Sequence, residues 1–154
     1  MFNIVLYQPE IPPNTGNIIR LCANSGCSLH LIEPLGFDLD DKKLRRAGLD
    51  YREFASVRLY PDLRTYRQQL GHDRLFAVTT RGSQAYHQVN YQEGDALLFG
   101  PETRGLPADV LDELGPEKCI RIPMAEGSRS LNLSNAAALV AYEALRQLGF
   151  ARLS

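Results

Sequence analysis

The chain has 154 residues, 44% of them hydrophobic and 23% charged, a balance that suits one globular domain and excludes a disordered or disulfide-stapled chain. A formal net charge of −1 and an isoelectric point near 6.3 exclude an indiscriminate polycation that coats nucleic acid. No apolar run approaches the roughly 20 residues that span a bilayer. The start, Met1-Phe2-Asn3-Ile4-Val5-Leu6-Tyr7, lacks the basic head and apolar stretch of an export signal, so a cytoplasmic protein with no membrane contact is expected.

Taken in chain order, apolar β-rich runs alternate with helical patterns. Phe2–Tyr7 reads as a strand, Asn14–Ser25 as a helix stopped by Gly26, and Ser28–Glu33 as a second strand ended by Pro34. Asp40–Ala47 is a charged helix-like segment, Val57–Tyr60 a short strand, and Asp62–Leu70 a helix with Asp62 as its cap. Arg74–Thr80 and Ala96–Phe99 are buried-type strands, Pro107–Leu114 a short helix and Cys119–Ile122 a short strand. Leu133–Leu148 is the longest helix: Ala136, Ala137, Val140, Ala141, Ala144, Leu145 and Leu148 keep the i, i+3, i+4 rhythm up to Gly149. Such alternation, with strands apolar throughout, specifies a single α/β domain, residues 1–154, whose mainly parallel sheet is flanked by helices. Ligands of such sheets bind beyond the carboxyl ends of the strands, in the loops after Tyr7, Thr80, Phe99 and Ile122.

Several familiar chemistries are missing. No G-x-G-x-x-G follows the first strand, and Gly100 and Gly105 have phosphate-loop spacing but lead into Leu106-Pro107 where Lys-Ser/Thr would be required. Cys22, Cys27 and Cys119 lack the spacing of a metal site and read as reduced core thiols, while His30, His72 and His87 read as surface or core histidines; no metal is expected. One basic patch stands out, Lys42, Lys43, Arg45, Arg46 and Arg52 against Asp50 alone.

Three polar segments remain in the ligand-loop positions. In Pro9-Glu10-Ile11-Pro12-Pro13-Asn14-Thr15-Gly16-Asn17-Ile18-Ile19-Arg20, Asn14 is a candidate helix cap, and Arg20 is either a surface cation or a guanidinium aimed at phosphate or a developing oxyanion. In Phe99-Gly100-Pro101-Glu102-Thr103-Arg104-Gly105-Leu106-Pro107, Gly100 would let a ligand approach the backbone and Glu102 would cap a turn or helix. In the run from Ile122 to Asn135, the side chains of Ser130, Asn132, Ser134 and Asn135 exceed what one cap needs and suggest a polar pocket or a subunit contact. Tyr142, on the last helix, reads as a core residue in preference to a base-stacking or interface one.

These three segments, in this order and over the whole chain, resemble the SPOUT methyltransferases, and among them the short bacterial members that methylate the ribose 2′-hydroxyl of the tRNA wobble nucleotide, cytidine or a modified uridine. The resemblance implies an α/β fold with a deep C-terminal trefoil knot, S-adenosylmethionine as cofactor, tRNA as substrate with leucine isoacceptors the usual ones, and a homodimer with its active sites near the subunit interface; no obligate protein partner is implied. Carried over by position, it implies a cofactor pocket of Val78, Thr79, Gly100, Glu102, Ile122, Met124, Ser130 and Leu131, catalytic roles for Arg20, Ser130 and Asn132, and a supporting role for Asn14. The basic patch, through Lys43, Arg45 and Arg46, is the candidate tRNA surface. The alternative is a catalytically idle RNA-binding module of the same fold.

Overall fold

Seven strands build one sheet, and every pairing in it is parallel: β1 (Asn3–Tyr7), β2 (Ser28–Ile32), β3 (Arg58–Tyr60), β4 (Leu75–Val78), β5 (Gln84–Ala85), β6 (Ala96–Phe99) and β7 (Cys119–Arg121), in the order β3-β2-β1-β6-β4-β7-β5. This is a computed structural model and describes residues 1–40, 49 and 51–154. The helices are α1 (Pro12–Ser25), α2 (Tyr51–Ala55), α3 (Leu63–Leu70), α4 (Ala108–Leu114) and α5 (Leu133–Gln147). None of them is long and apolar enough to cross a membrane.

The central strands β1, β6 and β4 are almost wholly apolar because both faces of the sheet are covered there. With a side-chain period of two, Ile4 and Leu6 join Leu97 and Phe99 under α1 and α5, whereas Val5 joins Ala96 and Leu98 on the side of α3 and α4. The alanines of α5 at 137, 141 and 144 are fully buried, and α1 and α5 pack against each other on the first face. Small side chains along that seam let two backbones approach closely while the sheet beneath keeps its larger residues.

Helix ends follow local chemistry. Pro12 and Pro13 occupy the first two positions of α1, where a missing N–H costs nothing, and Gly26 ends the helix in the left-handed region at φ +76°. Asn14, expected as the cap, lies inside the first turn; Ile11 holds the cap position without a side-chain bond, since the prolines start the helix earlier than the apolar pattern suggests. Asp62 does cap α3, accepting from the Thr65 N–H at 2.7 Å. The expected strand over 74–80 narrows to Leu75–Val78, and neither α2 nor the two-residue β5 was evident in the hydrophobic pattern. The charged helix expected over 40–47 lies, apart from Asp40, outside the described residues.

Tyr142 corrects the core expectation: its side chain is 39% exposed, beside Leu139 at 43%, on the flank of α5 turned away from the sheet. The three cysteines are buried and unpaired, as expected. Strand β1 sits where the chain order reverses, with β2 and β3 to one side and β6, β4, β7 and β5 to the other, which is where ligand crevices open in sheets of this kind.

Candidate active site

At the carboxyl ends of the strands, the loops after β1, β4, β6 and β7 enclose a cavity of about 500 Å³. Its apolar walls come from Val78, Ile122, Leu131, Leu133 and Ala136, its polar groups from Asn14, Thr79, Thr80, Glu102, Thr103, Arg104, Ser130 and Asn132. Apolar walls with a few fixed polar groups, at this size, are what a small-molecule or cofactor site requires. Among the described residues, no three or more His, Cys, Asp or Glu side chains gather as metal ligands would.

Two carboxylates clasp the loops to each other. Glu102 accepts from the backbone N–H of Glu10 and of Ile11, each at 2.8 Å, and from Asn14 Nδ2 at 3.3 Å. It therefore supplies the negative charge at the start of α1 that the chain lacks there, because the first turn of the helix carries no acidic residue of its own. In return Glu10 accepts from the Thr103 N–H at 2.9 Å and the Thr103 hydroxyl at 2.8 Å, and these bonds, ahead of Arg104, hold its carboxyl below the ordinary range.

Asn14 continues the chain of bonds. Since a carboxylate only accepts, its Nδ2 faces Glu102, and its Oδ1 accepts from Asn132 Nδ2 at 3.0 Å. Asn132 Oδ1 in turn caps α5, taking the Ser134 N–H at 2.9 Å, the Ser134 hydroxyl at 2.6 Å and the Asn135 N–H at 3.3 Å. One hydrogen-bonded line thus runs from the loop after β6 through α1 to the start of α5, and it absorbs Asn132 and Ser134 of the serine- and asparagine-rich cluster.

Gly100, which lines the cavity, also makes room for the loop that follows it. A Cβ there would lie 2.5 Å from the Leu106 nitrogen and 2.7 Å from the Gly105 carbonyl carbon, so the loop folds back onto its own strand end and the space is filled by backbone. Gly82 is tighter still: a Cβ would come within 2.2 Å of the Ile120 carbonyl carbon, where the loop after β4 presses on β7. The Thr79 N–H donates to Ile120 at 2.9 Å and the Ser83 N–H to Cys119 at 3.1 Å, stitching that crossing.

The structure brings Val78, Thr79, Gly100, Glu102, Ile122, Met124, Ser130, Leu131, Asn14 and Asn132 to this one cavity. Arg20 is not among the lining residues. It follows Asn14 by six positions, about two-thirds of a turn around the helix, and its Nε donates to Glu53 Oε2 of α2 at 2.7 Å. Lys43, Arg45 and Arg46 lie outside the described residues. Sequence reasoning missed Glu10 and Arg104; both sit inside segments it singled out, but a reciprocal pairing between loops some 90 residues apart leaves no local signal.

The model of the SpoU rRNA Methylase family matches residues 1–142. The tRNA (cytidine(34)-2'-O)-methyltransferase of Escherichia coli (strain K12) is 63% identical over 150 residues, covering 97% of this chain and 96% of that one. A solved structure concerned with the 2-OH methylation of C/U34 on tRNA superposes with a TM-score of 0.89 at 47% identity, covering 97% of each chain. An AdoMet-bound rRNA methyltransferase from Sinorhizobium meliloti superposes with a TM-score of 0.81 at 27% identity, over 96% of this chain and 56% of that one.

Proposed function

The chain belongs to the SpoU rRNA methylase family, and we propose that it methylates the ribose 2′-oxygen of nucleotide 34 of tRNA with S-adenosylmethionine as the methyl donor. The observation that carries this reading is the single cavity at the strand ends, lined by all eight positions that the family resemblance assigns to the cofactor. Val78, Ile122 and Leu131 give apolar surface for a purine; Thr79, Ser130 and the loop backbones give polar edges. Bound there, the cofactor supplies a methyl group activated by its positively charged sulfur.

The protein's own task is to align the 2′-oxygen and to stabilise it as its proton leaves. Asn14 and Asn132, locked to each other and to Glu102, hold the two helix starts that border the cavity. Ser130 lines the cavity and orients the ribose. A guanidinium donates hydrogen bonds and carries positive charge but has no acceptor, so the part of Arg20 is to stabilise a nascent alkoxide or hold a phosphate and not to take the proton as a free base. It lies outside the cavity of its own chain. A homodimer in which Arg20 of one subunit faces the cavity of the other reconciles the two observations, and the exposed Leu139 and Tyr142 of α5 supply an apolar face for such a contact. Leucine tRNAs as substrates, Lys43, Arg45 and Arg46 as an RNA-binding surface and a cytoplasmic location complete the reading. The knot belongs to it as well; what supports it is the insertion of β7 between β4 and β5 and the tight backbone crossing at Gly82.

The test is methyl transfer itself. Purified protein, labelled S-adenosylmethionine and tRNA from bacteria lacking this activity are incubated, and the RNA is digested to nucleosides. Label in 2′-O-methylcytidine or a 2′-O-methyluridine is the expected result. Label in a methylated base overturns the ribose assignment, and cofactor binding with no transfer to any tRNA points to an idle module.

A further inference from the structure

Among the described residues, 20 line the cavity, and Arg104 is the only cation of those. The other charged lining residue, Glu102, has its carboxylate occupied by Glu10, Ile11 and Asn14. We propose that Arg104 is the oxyanion-binding residue of the site and that its ligand is a phosphate of the RNA beside the target ribose. This assignment rests on the methyltransferase reading above and adds to it a residue that binds the substrate.

The guanidinium is tethered without being consumed. Its contacts are the Glu10 carboxylate at 3.5 Å and the Gln8 side-chain oxygen at 3.4 Å, both at the long end for a charge-assisted bond. Glu10 makes its short bonds to Thr103 instead, at 2.8 and 2.9 Å. The Arg104 side chain is 57% exposed, and an ion pair as open as this one contributes little by itself. An incoming oxyanion can therefore take the fork of donors with little to break, while Glu10 and Gln8 keep the side chain at the cavity mouth.

The tether is built into the fold. Gln8 adopts a left-handed backbone at φ +48°, uncommon for a residue with a side chain. Its N–H is held by the Ile32 carbonyl at 2.9 Å. Glu10 is backed by Gly36, whose N–H donates to the Pro9 carbonyl at 2.9 Å and where a Cβ would come within 3.0 Å of the Glu10 Cα. Two loops and one strained residue thus converge on placing Arg104.

Two oxyanions can reach such a cation: an RNA phosphate and the carboxylate of the cofactor's methionine moiety. The high exposure of Arg104, at the rim and not the floor, favours the phosphate. A chain of net charge −1 that must seat a polyanion also needs a cation where the target ribose enters.

The experiment compares wild-type protein with Arg104→Ala, Arg104→Lys and Arg104→Glu, using total tRNA from bacteria lacking the activity. We expect Arg104→Ala to raise the KM for tRNA about tenfold and to lower the slope of log affinity against log salt by about one. Arg104→Lys should fall between Ala and wild type, and Arg104→Glu should be worst. The Kd for S-adenosylmethionine, measured by calorimetry without RNA, should not move. Unchanged tRNA affinity and salt slope in Arg104→Ala overturn the proposal. A tenfold loss of cofactor affinity in that variant also overturns it, assigning the arginine to the cofactor's carboxylate. Wild-type protein is the control for the reading beneath: if it transfers no methyl to this tRNA, both inferences fall, whereas normal wild-type transfer with an indifferent Arg104 removes only this one.

Discussion

At the scale of single residues, Arg20 and His30 make opposite demands on charge. On the proposed reading Arg20 acts through the positive charge of its guanidinium, so Arg20→Ala should lower kcat by about 100-fold, the usual cost of removing a group that stabilises developing charge. The Kd for S-adenosylmethionine should stay near wild type, because Arg20 does not line the cavity. Near-normal turnover in that variant would refute the assignment. His30 must stay neutral. Asn3 donates through Nδ2 to the Gly94 carbonyl, which turns its Oδ1 toward His30 Nε2 at 3.0 Å and fixes the hydrogen there; Nδ1 then accepts from the Tyr60 hydroxyl at 2.9 Å. Burial, with a smaller push from Arg58, lowers its pKa from 6.5 to about 4. Above pH 6.5 the ring is neutral folded or unfolded and contributes no pH dependence. Below it the unfolded chain takes a proton that the folded chain refuses, so stability falls progressively to pH 4, by on the order of 2 kcal/mol. Urea denaturation between pH 5 and 6.5 should show this slope in wild type and lose most of it in His30→Asn; equal slopes would mean that another group titrates. Sequence placed His30 correctly among surface or core histidines, but it could not show the tautomer, which depends on Asn3 and Tyr60 from two neighbouring strands.

At the scale of elements, what was legible is what local chemistry dictates. The apolar strands, the periodic last helix and the Asp62 cap follow from spacing alone. The errors arose where distant segments decide. The start of α1 moved from Asn14 to Pro12 because two prolines preset the first turn, and the negative charge that turn lacks comes from Glu102, nearly 90 positions away. The two-residue β5 exists because β7 lies beside it, not because Gln84–Ala85 favours a strand. Tyr142 was read as core for its aromatic ring, yet it stands outside the rhythm of Ala137, Val140, Ala141 and Ala144 and faces outward accordingly. Gly100 lines the cavity as expected, and its missing side chain has a second use that sequence could not show, which is to accommodate the returning loop. Gly100→Ala should therefore cost about 3 kcal/mol or more, as backbone atoms 2.5 Å away cannot yield as a flexible side chain would. Denaturant midpoints should fall, and cofactor affinity with them, because the displaced loop carries Glu102 and forms one wall of the cavity. A stable Gly100→Ala protein with intact cofactor binding would show that the loop has room that its packing does not suggest.

At the scale of the whole molecule, the problem is how a chain of net charge −1 seats a polyanion. A single chain offers Arg104 at its cavity mouth, while Arg20 sits elsewhere on α1 and pairs with Glu53. The proposed dimer would join these parts. Leu139 and Tyr142, three positions apart, lie on one flank of α5 and leave more apolar side chain in water than a packed helix normally does. A twofold contact through that flank would set two cavities and two sets of basic residues on one assembly. Light scattering on wild type should report a dimer, and Leu139→Glu, which buries an unpaired carboxylate in the contact, should report a monomer. The monomer should keep its fold and bind S-adenosylmethionine but methylate tRNA poorly, because Arg20 and the second basic surface would no longer be presented to its cavity. Reversing Lys43, Arg45 and Arg46 to Glu separates the contributions: this variant should remain dimeric and bind cofactor while losing tRNA. If Leu139→Glu is monomeric yet methylates at the wild-type rate, each chain is complete alone, and Arg20 must reach the ribose from within its own subunit.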